Sequence, residues 1–131
     1  MRRVNHTAIV VADMDEAIRR WQSLTGGELT SRRPAPAQGV EVAFIELGDT
    51  KVELIRPLSE DSGVARFLAK RGESLHHLAL EVEDLQKVMA RLGEAGVRFI
   101  DQTPRRSSHG QIAFLHPQST GGVLIELVQR D

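Results

Sequence analysis

The sequence predicts an α+β fold: two tandem βαβββ modules forming an open, eight-stranded, cup-shaped mixed sheet. Two observations carry this expectation. His6-Thr7-Ala8-Ile9-Val10-Val11-Ala12-Asp13 recurs as His77-Leu78-Ala79-Leu80-Glu81-Val82-Glu83-Asp84, with the His-to-Asp spacing of seven kept (13 − 6 and 84 − 77). Each copy also ends in a strand with a carboxylate among apolar residues, Val52-Glu53-Leu54-Ile55 and Leu124-Ile125-Glu126-Leu127-Val128. These glutamates follow their histidines by 47 and 49 positions (53 − 6 and 126 − 77). A repeat of this length within 131 residues is a duplicated half-domain rather than a solenoid unit. The expected organisation is one domain, 1–131, with repeats over about 4–56 and 75–129 joined by a short helical linker. Each half has an apolar sheet face that it cannot cover alone, so the two combine.

The elements follow in order. Residues 4–11 alternate as a strand and end at Asp13, an N-cap residue, with Glu16 three positions on in capping-box register. Ala17, Ile18, Trp21 and Leu24 recur at helical spacing until Gly26-Gly27 stops the helix. Residues 28–37, with Pro34 and Pro36, read as an extended segment; Val40–Leu47 and Lys51–Ile55 form a hairpin around Gly48-Asp49. Pro57–Gly63 is a solvated linker, and a short helix over 64–70 stops at Gly72. In the second copy, Leu75–Val82 is a strand and Asp84 caps a helix carrying Val88, Met89, Leu92 and Ala95. Val97–Ile100 reads as a short strand and Thr103–Gly110 as a basic loop. Gln111–Leu115 and Val123–Val128 close the module through a turn over 116–122.

Composition narrows the function. Seventeen basic against eighteen acidic residues, interspersed, give a net charge of −1 and no polyanion-binding signature, so nucleic acid is not an expected partner. The absence of cysteine removes disulfide and thiolate chemistry. No apolar run reaches the ~20 residues of a membrane helix, and no apolar leader precedes the first strand pattern. The expectation is a cytoplasmic protein without a membrane partner.

His6 and His77 occupy equivalent repeat positions. Either alone reads best as a half-buried histidine bonded to backbone; as a pair they read as metal ligands. The register selects His77 over His76, which points to the opposite strand face. Glu53 and Glu126 lie among Val, Leu and Ile, where a buried carboxylate needs a partner, and coordination supplies one. The plain alternative is a glutamate on an edge strand facing water, which suits Glu53 better than Glu126. A His₂Glu₂ set accepts Zn²⁺, Co²⁺, Mn²⁺, Ni²⁺ or Fe²⁺. Trp21 reads as core, and His116, before Pro117, as structural.

At these residues the chain resembles the vicinal oxygen chelate superfamily and, within it, the methylmalonyl-CoA epimerase family. Further stretches share the likeness: Gln38-Gly39-Val40, residues 60–68, Leu75-His76-His77-Leu78-Ala79, Pro104-Arg105-Arg106 followed by His109-Gly110, and Phe114-Leu115-His116-Pro117 through Gly121-Gly122-Val123-Leu124-Ile125-Glu126-Leu127. The resemblance implies a glyoxalase-like fold, a homodimer, and a divalent ion (Co²⁺, Mn²⁺, Zn²⁺ or Ni²⁺) held by His6, Glu53, His77 and Glu126. It also implies an acyl-CoA substrate whose stereoisomers interconvert by 1,1-proton transfer through a metal-stabilised enediolate.

Departures from the family pattern sharpen the expectation. Val42 stands where some members carry an acid/base Glu, and Glu53 where they carry a Gln ligand. Glu41 is adjacent but should face the other way. Glu53 and Glu126 are therefore expected to serve as both ligands and acid/base groups. Ser74 and Ser107 replace frequent glycines, and Gln118 a frequent lysine. Arg105, Arg106, His109 and Gln38 are substrate-contact candidates, the arginines for CoA phosphates; a solvated basic loop explains them equally well. The alternatives within the superfamily are a glyoxalase I-like lactoylglutathione lyase, a metal-free antibiotic-binding module, and an extradiol dioxygenase. The sequence offers no set of residues for glutathione carboxylates, few aromatics to line a binding cleft, and one carboxylate too many for the dioxygenase.

Overall fold

The computed structural model describes residues 1–131. The chain divides into two compact units, His6–His76, and Met1–Asn5 with His77–Asp131. The first strand, β1 (Arg3–Val10), contributes its opening residues to one unit and its remainder to the other.

In the His6–His76 unit, β1 leads to α1 (Met14–Thr25), then β2 (Glu28–Ala35), β3 (Val40–Leu47) and β4 (Thr50–Pro57). The Asp13 side chain accepts a hydrogen bond from Glu16 N (3.0 Å), and the helix stops at Gly26, whose φ of 70° is easy only for glycine. Antiparallel β2–β3 and β3–β4 pairs and a parallel β1–β4 pair order the strands β2-β3-β4-β1. One sheet face packs Ala43, Ile45, Val52 and Leu54 against Met14, Ala17 and Ile18 of α1, with Trp21 at the margin of this core. The other carries Ala8, Val40, Val42, Phe44 and Ile55. A linker helix, α2 (Gly63–Arg71), follows, capped by the Ser62 hydroxyl.

The second unit repeats the plan with β5 (Ser74–Glu81), α3 (Leu85–Glu94), β6 (Arg105–Ser107), β7 (Gly110–Leu115) and β8 (Ile125–Gln129). Asp84 caps α3 through Lys87 N at 3.1 Å, as Asp13 caps α1. Within this unit a parallel β5–β8 pair and antiparallel β7–β8 and β6–β7 pairs order the strands β5-β8-β7-β6, so each module is a mixed sheet, as expected. Leu80, Val82, Leu85, Ala113, Leu115 and Leu127 form the core beneath α3, and Ala79, Ile112, Phe114 and Val128 lie on the opposite face.

One expected element moves. The strand expected over 97–100 is reduced to an isolated bridge from Phe99 to Leu115, and β6 forms inside the expected loop, at Arg105–Ser107. The cause is local. Pro104 has no N–H for a ladder, and the Asp101 carboxylate takes the Phe114 N–H (2.7 Å) that a continuous strand would have paired.

Candidate functional site

The His6–His76 unit assembles its pair through strand register. Glu53 is the partner of Ala8 across β1–β4 and of Phe44 across β3–β4, so it projects from the face those residues share. His6 lies two residues before Ala8 and projects from the same face. Its Nε2 stands 3.3 Å from Glu53 Oε1, with the two side chains 0 % and 7 % exposed. Glu53 is therefore no edge-strand glutamate facing water. Val42, the partner of Ile55, shares this face. Glu41 takes the other face, where it accepts bonds from Arg32 Nε (3.2 Å) and Arg56 Nε (3.1 Å). Burial pushes the Glu41 carboxyl up, but the two guanidinium hydrogen bonds outweigh it and hold the group below its usual range.

The second unit repeats the arrangement. Glu126 is the partner of Ala79 across β5–β8 and of Phe114 across β7–β8, and His77 precedes Ala79 by two. His77 Nε2 lies 3.6 Å from Glu126 Oε1, the side chains 6 % and 4 % exposed. The Phe114 ring meets the His77 imidazole edge-to-face at 5.4 Å. His109, half-buried in the β6–β7 turn, places a ring nitrogen within 4.8 Å of a Glu126 carboxylate oxygen.

The other candidates separate. His76 stacks edge-on with Phe67 (4.8 Å) rather than beside His77's partner. His116 Nδ1 accepts from Gln118 N (3.1 Å), a structural cap. Gln38 ends an exposed 3₁₀ turn over Pro36–Gln38. Arg105 pairs with Asp101 through Nε (3.0 Å), and Arg106 with both carboxylate oxygens of Asp131 (2.6 and 2.8 Å).

Sequence reasoning overlooked Glu81. It is buried beside the first residues of β1, accepting from Asn5 Nδ2 (3.0 Å) and Arg3 Nε (3.3 Å), with Arg130 at 3.9 Å. Burial raises its carboxyl, but the Asn5 hydrogen bond and the Arg3 and Arg130 charges outweigh that and leave it below the ordinary range. A carboxylate two residues beyond Ala79 in an alternating strand was the available signal.

The chemistry follows from burial. A carboxylate taken out of water costs several kcal/mol unless it is paired. Each unit holds a buried imidazole–carboxylate pair whose nitrogen and oxygen atoms are of the types that coordinate a divalent cation.

Known proteins show the same architecture. The profile of the Glyoxalase/Bleomycin resistance protein/Dioxygenase superfamily matches residues 5–114. The ethylmalonyl-CoA/methylmalonyl-CoA epimerase of Cereibacter sphaeroides is 41 % identical over 130 residues, covering 97 % of each chain. The crystal structure of methylmalonyl-CoA epimerase from Mycobacterium tuberculosis superposes with a TM-score of 0.91 at 37 % identity, covering 98 % of this chain and 88 % of that one. A methylmalonyl-CoA epimerase in complex with methylmalonyl-CoA and ammonium gives 0.89 at 34 % identity, over 99 % and 95 % of the two chains. The chain belongs to the glyoxalase/bleomycin resistance/dioxygenase superfamily and, within it, to the methylmalonyl-CoA epimerase family.

Proposed function

We propose that this protein is a metal-dependent epimerase that interconverts the stereoisomers of methylmalonyl-CoA. The observation that carries the reading is the repeat-related pair of buried His–Glu couples, His6 with Glu53 and His77 with Glu126. Relatives named for this activity over nearly the whole chain support the substrate class.

The donor set fits a divalent cation: two imidazole nitrogens and two carboxylates, buried among apolar residues, suit Co²⁺, Mn²⁺, Zn²⁺ or Ni²⁺. His6, Glu53, His77 and Glu126 would hold the ion, which when bound supplies Lewis acidity toward the thioester carbonyl and carboxylate oxygens of the substrate. The rest falls to the chain's own groups. One glutamate carboxylate oxygen removes the Cα proton, and the other glutamate, as its acid, returns a proton to the opposite face. The repeat relation of Glu53 and Glu126 supports assigning one face to each. Val42 places an apolar side chain on the Glu53 face, at the position where some family members carry an acid/base glutamate.

The test is metal analysis of the purified protein, followed by NMR of methylmalonyl-CoA in deuterated water. Metal-dependent exchange of the Cα proton is expected; no exchange with a divalent ion bound overturns the reading. The family likeness further supports a homodimer, read by light scattering, and the cysteine-free composition supports a cytoplasmic setting.

A further inference from the structure

Arg105 and Arg106 are adjacent, yet the sheet treats them oppositely. Arg105 is the register partner of Ile112, whose face also carries Ala79, Phe114 and Val128, the face of Glu126. Arg106 pairs with Gln111 and projects from the other face, where its Nη1 is held by both oxygens of Asp131.

The Arg105 guanidinium is fixed from two sides. Its Nε donates to Asp101 Oδ1 at 3.0 Å, and its Cζ lies 5.6 Å from the centre of the Phe114 ring. The second Asp101 oxygen, Oδ2, accepts the Phe114 N–H at 2.7 Å, so one carboxylate ties the arginine to the strand beneath it. Phe114 is in turn the cross-strand partner of Glu126 and touches His77 edge-to-face. Nε alone is spent on Asp101, while the two terminal amino groups of the guanidinium make no hydrogen bond within the protein. The side chain stays 45 % exposed against 16 % for Asp101. Such a fork, oriented by its inner nitrogen and open at its outer ones, has the geometry for two-point contact with a phosphate or carboxylate.

We infer that Arg105, oriented by Asp101 and Phe114, is the side chain that reads an anionic group of the acyl-CoA, and that Arg106 is not. Asp101 is then a positioning residue, acting on the ligand only through Arg105. This inference rests on the epimerase reading for its ligand, and the anion has two sources, the phosphates of the CoA nucleotide and the malonyl carboxylate.

Calorimetric titration separates the sources and is independent of turnover. Wild type, Arg105→Gln, Arg106→Gln, Asp101→Asn and the Asp101→Asn/Arg105→Gln double variant are each titrated with free CoA and with methylmalonyl-pantetheine, which lacks the nucleotide phosphates. Arg105→Gln should weaken one of the two ligands by about tenfold or more, since a charge-assisted bidentate contact is lost. Weakening of CoA assigns the phosphate; weakening of methylmalonyl-pantetheine alone assigns the carboxylate. Asp101→Asn keeps an acceptor for the Phe114 N–H but loses the charge partner. It should weaken the same ligand by a few-fold, and add nothing on the Arg105→Gln background. In turnover, Arg105→Gln and Asp101→Asn should each raise KM with kcat little changed. Equal weakening by Arg106→Gln, additive effects in the double variant, or unchanged affinity of Arg105→Gln for both ligands overturns the inference. Wild type that binds CoA yet shows no proton exchange would count against the epimerase reading alone.

Discussion

Glu81 offers a quantitative test of how the start of β1 is held in the second unit. Its side chain is 11 % exposed, and the carboxylate gathers one buried amide, Asn5, the residue before His6, and one half-exposed guanidinium, Arg3. A charge-assisted hydrogen bond contributes ~1.5–3 kcal/mol when buried. The Arg3 contact, at 36 % side-chain exposure, is discounted for solvent screening. Glu81→Gln keeps the size and an acceptor for Asn5 but removes the charge, so a cost of roughly 2 kcal/mol is expected. With an unfolding entropy of ~2.1 cal/mol/K per residue, that amounts to about 7 °C in Tm for a chain of 131 residues. The sign in pH follows from the depressed folded-state pKa. The stabilisation is fully present above the unfolded carboxyl pKa, near 4.5, and is lost as pH falls through the lower folded value. Thermal melts by circular dichroism should therefore show the wild-type advantage at neutral pH and its narrowing in acid. An equal gap at both pH values, or none at neutral pH, would refute the assignment of Glu81 as an ionised anchor.

Three further outcomes are expected. Gly110→Ala should destabilise by more than ~2 kcal/mol, because φ is +121° and a Cβ there would stand 2.3 Å from the Gln129 carbonyl oxygen; urea unfolding reads it. Leu127→Ala, fully buried beneath α3, should cost ~3–5 kcal/mol by the same measurement, with the larger value if the cavity does not collapse. Glu53→Gln and Glu126→Gln should each slow Cα deuterium exchange by roughly 100-fold or more, and full exchange in either variant would remove that residue from the proton-transfer assignment.

Much of the fold was legible because its signals are local. Asp13 and Asp84 cap helices through backbone N–H groups three residues on, a pattern that needs no tertiary partner. Period-two alternation placed Glu41 away from the Val42 face, and the structure agrees because a strand cannot turn a single side chain over. The displaced strand at 97–107 was not legible. Apolar residues at Val97 and Phe99 promised a ladder, but the competing partner for Phe114 N–H was an Asp101 side chain, and side-chain competition for backbone bonds leaves no periodic trace.

The same division runs through the candidate site. Duplication and alternation, both read from the sequence, selected His6, Glu53, His77 and Glu126 and the face each occupies within its module. Tertiary structure decided what those residues touch. It set the 3.3 and 3.6 Å approaches of imidazole to carboxylate, brought Phe114 against His77, and separated Arg105 from Arg106. Repeat position constrains a residue by its own chain segment alone. Distance between side chains depends on the register between strands far apart in sequence, and that register is set by packing of the whole sheet.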